Sequence, residues 1–230
     1  MNIAIILAAG SSHRFNADMP KQFYEIDGHP LIWYAINSFH QVEVIDSIII
    51  VSQQNHIDYL SKLIQDNNFT KVKHLILGGN TRQESSFNGV KFVKTIFKDD
   101  DIVLIHDAAR PLISERIINE CIKGAKKYNA VTTALPSDDT TVISSDGEQI
   151  GFMPERKSVY RIQTPQAFKV GMIYLAHHLL KNEHDSTDDA GLIFRTFMPV
   201  HLVMGDKKAM KVTSLEDVYY IKALIHGEKN

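Results

Sequence analysis

The chain has 230 residues, 44% of them hydrophobic and 23% charged, which is enough for one large α/β domain with a proper core. Its 25 Lys and Arg against 27 Asp and Glu leave a formal net charge of -2, which argues against a general nucleic-acid or anionic-membrane binder; any phosphate site must be a local cluster of cations. A single cysteine, Cys121, excludes a disulfide within the chain and a cysteine metal cluster, and residues 1–10 show neither the basic lead of a signal peptide nor the run of about 18 apolar residues of a membrane span, so a cytoplasmic protein is expected.

In chain order, residues 3–8 are a continuous apolar run, as expected of a strand buried on both faces, and a small-residue loop follows at 9–12. An amphipathic helix is expected over 30–40, a second strand at 47–51 and a helix over 55–66. A third strand at 72–77 ends at Gly78-Gly79. A helix over 85–98 leads to a fourth strand at 102–105, which ends at His106-Asp107. A helix over 114–128, with Cys121 as a buried filler, precedes a fifth strand at 130–135. This β–α rhythm with short connections predicts a Rossmann-like α/β fold, a mostly parallel sheet with helices on both faces. The rhythm breaks at 137–161, where 140–144 and 149–152 flank the turn Ser145-Asp146-Gly147-Glu148 and read as a β-hairpin. That ribbon has few core residues of its own, so it is expected to be an arm inserted into a single 1–230 domain and laid on a partner subunit. Helices over 170–181 and 188–194, a strand at 200–204 and a helix over 215–225 close the domain.

In sheets of this kind ligands bind beyond the carboxyl ends of the strands. Small and polar residues cluster at three such ends, after Ala8, Leu77 and Ile105. The first cluster, Leu7-Ala8-Ala9-Gly10-Ser11-Ser12-His13-Arg14, can bring backbone N–H groups close to a nucleotide, with Arg14 adding charge; it reads equally as a tight turn. It carries neither a Walker lysine nor the glycine fingerprint of dinucleotide folds. In Pro20-Lys21-Gln22 the proline stiffens the loop, so Lys21 is either a compact ammonium for a triphosphate or a solvated surface charge. In His106-Asp107-Ala108-Ala109-Arg110-Pro111, Asp107 at a strand end is a natural ligand for Mg²⁺, and Arg110 can pair locally or hold an anion. His106 reads as a hydrogen-bonded structural residue rather than a base. Lys211, between Met210 and Val212, is either a snorkelling edge residue or a cation aimed inward.

The ordered set is more specific than any member of it. LAAG at 7–10 with Arg14, PKQ at 20–22, GG at 78–79 with Arg82 and Ser85, and HDAARP at 106–111 are followed by Asp139-Thr140, Arg156, TPQAF at 164–168, TDDA at 187–190 and KVT at 211–213. Over essentially its whole length the sequence resembles the 2-C-methyl-D-erythritol 4-phosphate cytidylyltransferases and their close relatives, the ribitol-5-phosphate cytidylyltransferases. The resemblance implies transfer of CMP from CTP to 2-C-methyl-D-erythritol 4-phosphate in isoprenoid-precursor synthesis, with ribitol 5-phosphate as the rival acceptor. It implies that the backbone of Ala8, Ala9 and Gly10, with Gly79 and Ser85, meets cytosine and ribose. Asp107 and Ala108 are also expected at the nucleotide, with Asp107 serving Mg²⁺. Arg14 and Lys21 are expected to hold the triphosphate, Lys211 to act near the α-phosphate, and Thr140, Arg156 and Thr187 to bind the sugar-alcohol phosphate. In the family, the arm with residues like Thr140 and Arg156 comes from the second subunit of a homodimer. The chain departs from the pattern at Ser12, Asn80 and Asp138, and Lys208-Ala209 replaces the Asp or Asn often found before the last lysine. Val159-Tyr160 stands where the erythritol enzymes usually show Leu-Trp and leans toward the ribitol branch, whereas HDAARP and TDDA lean toward the erythritol branch.

The chemistry implied needs no acid/base dyad. A phosphate monoester near pH 7 is largely dianionic, because its second pKa is about 6. The nucleophile arrives deprotonated, and the barrier lies in joining two anions while charge grows at the α-phosphorus. Cations and Mg²⁺ that hold both reactants in line are the machinery this requires. The rival from another class is a non-catalytic nucleotide sensor, which would have no use for Arg14, Lys21, Asp107 and Lys211 together.

Overall fold

The computed structural model describes residues 1–10, 15, 19–181 and 186–227. The chain runs through β1 (Asn2–Leu7), a short hairpin of β2 (Glu25–Ile26) and β3 (His29–Pro30), α1 (Leu31–Gln41), β4 (Ser47–Ser52), α2 (Ile57–Asp66) and β5 (Val72–Leu77). It continues through α3 (Arg82–Ile96), β6 (Ile102–Asp107), α4 (Glu115–Tyr128), β7 (Ala130–Pro136) and β8 (Tyr160–Lys169), and ends with α5 (Val170–Leu179), α6 (Asp189–Arg195), β9 (His201–Met204) and α7 (Leu215–Gly227).

The main sheet has the order β5-β4-β1-β6-β8-β7-β9, and only β8 runs against the direction of the others. The side-chain period of two along β1 feeds two cores. Ala4 and Ile6 join Ile48, Ile50 and Leu104 beneath α1, α2 and α4. Ile3 and Ile5 join Ile49, Val51 and Ile105 beneath α3, α5 and α6. A strand covered on both sides has no polar face to show, which is why β1, β4 and β6 read as unbroken apolar runs. A third, smaller core packs Val218, Ile221 and Ile225 of α7 against Ile26, Leu31 and Val212, and so anchors the segment that carries Lys211. Cys121 lies on the buried face of α4, where burial pushes its thiol up to about 12, so it is the inert filler expected.

Two expectations are corrected. The elements expected from the sequence include no strand at 160–169, a segment in which Pro165 cannot donate to a ladder. β8 nevertheless takes the central place between β6 and β7, pairing Ile105 with Gln166 on one side, and Thr132 with Gln166 and Ala134 with Ile162 on the other. Its register with β7 shifts between Thr132 and Ala134, so the proline falls where the ladder is already interrupted. The second correction concerns the arm. Residues 137–159 hold a single β-bridge, Ile143 with Phe152, in place of the expected two-stranded ribbon. The turn does form, with the Asp146 carboxylate accepting from the backbone N–H of Glu148 and Gln149. Val142, Ile143, Ile150, Phe152 and Met153 are all exposed, however. A two-stranded ribbon with no face to bury is marginal by itself.

Candidate active site

A cleft of about 790 Å³ opens at the carboxyl ends of the parallel strands. Its wall includes Ala9, Gly10, Lys21, Gly79, Ser85, Asp107, Ala108 and Lys211, so most of the residues expected from the sequence converge there. Ala8 stands one step behind that wall: its amide donates to the Val51 carbonyl, and its own carbonyl accepts from Gln22. Arg14 falls outside the described residues.

The small residues are required by close approach. A Cβ on Gly78 would sit 2.4 Å from the Ala9 Cβ, and one on Gly79 would sit 2.3 Å from the Glu84 Cβ. The loops after β1 and β5 therefore meet closer than any side chain permits. Gln22 donates to the carbonyls of Ala8 and Gly10 at 2.8 and 3.0 Å, and Gln53 donates to that of Ala9 at 2.9 Å. The last residue of the PKQ motif thus pins the first loop, while Lys21 faces the cleft.

Helix α3 begins three residues before its expected start at 85. Thr81 caps it, accepting from the Glu84 N–H at 3.0 Å, while Glu84 accepts from the Asn80 N–H at 2.7 Å. That is the Thr-x-x-Glu capping signature, and it was the signal in the sequence that could have placed Arg82 on the first turn of the helix. Arg82 was not singled out as a site residue, yet it lies at the centre of the charge arrangement. Its Nε is 3.1 Å from Asp107 Oδ1, and one terminal nitrogen is 2.9 Å from Asp189 Oδ2. Lys211 Nζ holds the other Asp107 oxygen at 2.7 Å. Burial alone would raise the Asp107 carboxyl, but Arg82, Lys211 and Arg110 outweigh it and hold the group well below the usual carboxylate range. Burial likewise opposes ionisation of Asp189, and Arg82, His177 and Ser86 bring it down to about 2. For Arg82, burial favours the neutral form, but the two carboxylates prevail and raise its pKa. The cluster is therefore ionised at neutral pH.

A second compartment of about 230 Å³ adjoins the cleft. It shares Arg82, Asp107 and Lys211 with the first and adds Arg110, Thr164, Thr187 and Asp188. Thr187 thus lines this smaller compartment. Thr140 and Arg156 are exposed on the 137–159 segment and line neither compartment, so a single chain does not bring them to this site.

The wall around Asp107 is ordered by His106. Its Nε2 lies 2.9 Å from the Arg110 carbonyl, which can only accept, so Nε2 carries the proton and Nδ1 is an acceptor. Thr164 Oγ, 2.9 Å from Nδ1, must then donate to it, and accepts in turn from the Asp107 N–H at 3.2 Å. Burial pushes the His106 pKa down to about 4, keeping the ring neutral, so this is the structural histidine expected.

Among the described residues no group of three or more His, Cys, Asp or Glu gathers as a metal cage, and no helix is long and apolar enough to cross a membrane. The model of the family IspD: 2-C-methyl-D-erythritol 4-phosphate cytidylyltransferase matches residues 2–226. The chain belongs to this family. It is therefore a cytidylyltransferase, a kind of nucleotidyltransferase. It is 38% identical over 231 residues to 2-C-methyl-D-erythritol 4-phosphate cytidylyltransferase of Clostridioides difficile, covering 100% of this chain and 95% of that one. It is also 34% identical over 233 residues to ribitol-5-phosphate cytidylyltransferase of Streptococcus agalactiae, covering 100% and 98%. Among solved structures, 4-diphosphocytidyl-2C-methyl-D-erythritol synthase from Anaerococcus prevotii aligns with a TM-score of 0.83 at 32% identity, covering 98% of this chain and 96% of that one.

Proposed function

We propose that this cytidylyltransferase transfers CMP from CTP to 2-C-methyl-D-erythritol 4-phosphate, releasing pyrophosphate, as a cytoplasmic step toward isoprenoid precursors. The observation that carries this reading is the pair of adjoining compartments that share Arg82, Asp107 and Lys211. The larger falls within the roughly 300–1,000 Å³ typical of small-ligand sites, and its small-residue loops suit the flat base and ribose of CTP. Ala9, Gly10, Gly79 and Ser85 meet the nucleoside, and Lys21, with Arg14, holds the triphosphate. The smaller compartment takes the acceptor, with Thr187 and Arg110 toward its polar groups. An oxygen of the acceptor's phosphate forms the new bond to the α-phosphorus. The bond from that phosphorus to the bridging oxygen breaks, and its electron pair leaves with pyrophosphate. Lys211, at the junction, holds the α-phosphate as charge grows there.

Asp107 is the residue suited to Mg²⁺. Both its oxygens already face cations, so it does not fit a resident metal; it fits an ion that arrives with the triphosphate and asks for one protein carboxylate. Such an ion would neutralise charge on the phosphates.

Ribitol 5-phosphate is the second reading, favoured by Val159-Tyr160 and by the Streptococcus agalactiae relative. Purified protein offered CTP with each alcohol phosphate decides between them by pyrophosphate release. The expected kcat/KM is higher for methylerythritol phosphate by roughly tenfold or more, ~1.4 kcal/mol in activation free energy. The reverse preference transfers the assignment to ribitol phosphate.

We further propose that the 137–159 segment acts across a homodimer. Its exposed Val142, Ile143, Ile150 and Phe152 supply an apolar face for a second copy, and its Thr140 and Arg156 then reach the partner's smaller compartment. Mixing inactive Arg156→Ala and Lys21→Ala proteins should recover part of the activity, because a heterodimer has one site with both residues intact. Silence after proven subunit exchange would mean that each site is built within one chain.

A further inference from the structure

The two cations on Asp107 are held very differently. Lys211 comes from the segment after β9, and its side chain is 36% exposed. Arg82 is tied at its far end to Asp189, whose side chain is 1% exposed. Three elements converge on that carboxylate. Ser86, one turn along α3 from Arg82, donates to Oδ1; His177 of α5 lies 3.3 Å from the same oxygen; and Asp189 itself opens α6, with its backbone N–H on Gln166 at 3.0 Å. If Arg82 turned toward a substrate, it would leave Asp189 buried without its cation, which is strongly unfavourable. Among the described residues, Lys211 shows only its contact with Asp107 and no second buried carboxylate.

We infer that Asp189 is a positioning residue, which fixes Arg82 as the permanent partner of Asp107 and leaves Lys211 as the cation that exchanges from Asp107 to phosphate when substrate arrives. A guanidinium clamped in advance presents Asp107 in one orientation with no reorganisation during the reaction. The inference rests on the proposal that Asp107 and Lys211 lie at the point of transfer. That proposal is tested separately, by turnover of the unaltered enzyme and its loss in Lys211→Ala.

The test is a double-mutant cycle in kcat. Asp189→Asn keeps the shape and the contact with Ser86 but removes the charge. Its kcat should fall roughly 10–100-fold, as for other supporting partners of an active-site group, with the KM for CTP little changed. Arg82→Ala should fall at least as far, and the double variant no further than Arg82→Ala alone, because Asp189 acts through Arg82. Losses that multiply, or an Asp189→Asn protein that melts lower but turns over normally, would overturn the inference. If Asp189→Asn does not fold, Ser86→Ala loosens the same carboxylate; it should lower kcat several-fold, again with no added effect in the Arg82→Ala background, and normal turnover counts against the inference. A readout without catalysis is the Arg82 side-chain N–H resonance. It should persist unchanged on addition of CTP, and its loss would show that Arg82 is the cation that moves.

Discussion

Replacing Lys211 with alanine should lower kcat by roughly 100- to 1,000-fold, about 2.7–4 kcal/mol of lost transition-state stabilisation, while the protein stays folded. The asymmetry has a physical source. In the resting site Lys211 holds Asp107 at 2.7 Å, and Arg82 also holds it at 3.1 Å, so removing the lysine does not strand the carboxylate. Its folded-state contribution is therefore partly redundant, whereas in the proposed role, a charge aimed at the α-phosphate during transfer, it is not duplicated by Arg82, which stays on Asp107 and Asp189. Lys211→Met, which keeps the aliphatic stem, should match the kinetic loss with an even smaller change in Tm. Steady-state kinetics beside thermal melts check both; near-normal turnover in either variant would remove Lys211 from the machinery. Lys21→Ala is expected to behave in the same way, since it lines the same cleft.

The second large effect is on stability. Gln166→Leu should cost about 2–6 kcal/mol and lower Tm by roughly 5–20 °C. Gln166 is fully buried and uses its whole amide. Nε2 donates to Thr132 Oγ1 at 2.9 Å and to Asp188 Oδ2 at 2.7 Å. Oε1 accepts from the backbone N–H of Asp189 and Ala190 at 3.0 and 2.9 Å. Leucine matches the volume but leaves both amides at the start of α6 buried without acceptors, each worth about 1–3 kcal/mol. Thr132→Val removes one acceptor and should cost no more than about 1.5 kcal/mol. Chemical denaturation separates the two variants, and equal small losses would show that α6 finds other partners. Because α6 begins at Asp189, kcat should fall along with stability in Gln166→Leu.

How far the sequence could be read depends on how local the signal was. β5 was expected at 72–77 and is found there, and the runs at 3–8 and 47–51 lie within a residue of β1 and β4. These strands are buried on both faces, so hydrophobicity alone marks them. β8 is as central as any of them, yet it reads YRIQTPQAFK: Ala167 and Phe168 enter the cores, whereas Thr164 and Gln166 make hydrogen bonds to His106 and to the start of α6. A polar strand with a proline at an irregularity carries no periodic signature. Arg82 was legible in principle from Thr81-x-x-Glu84, whereas its pairing with Asp189 joins residues 107 apart and leaves no trace in spacing. Thr140 and Arg156 were named only by resemblance, and within one chain they stay at the surface.

The sequence by itself therefore determined the class of fold, the loops at which the strands end and the family of chemistry, because apolar runs, glycines and an ordered set of motifs are local properties. Tertiary structure alone decided that β8 divides β6 from β7, that Arg82 bridges Asp107 and Asp189, and that two compartments meet at those charges. Such contacts depend on which distant segments burial forces together, and no window along the chain records that.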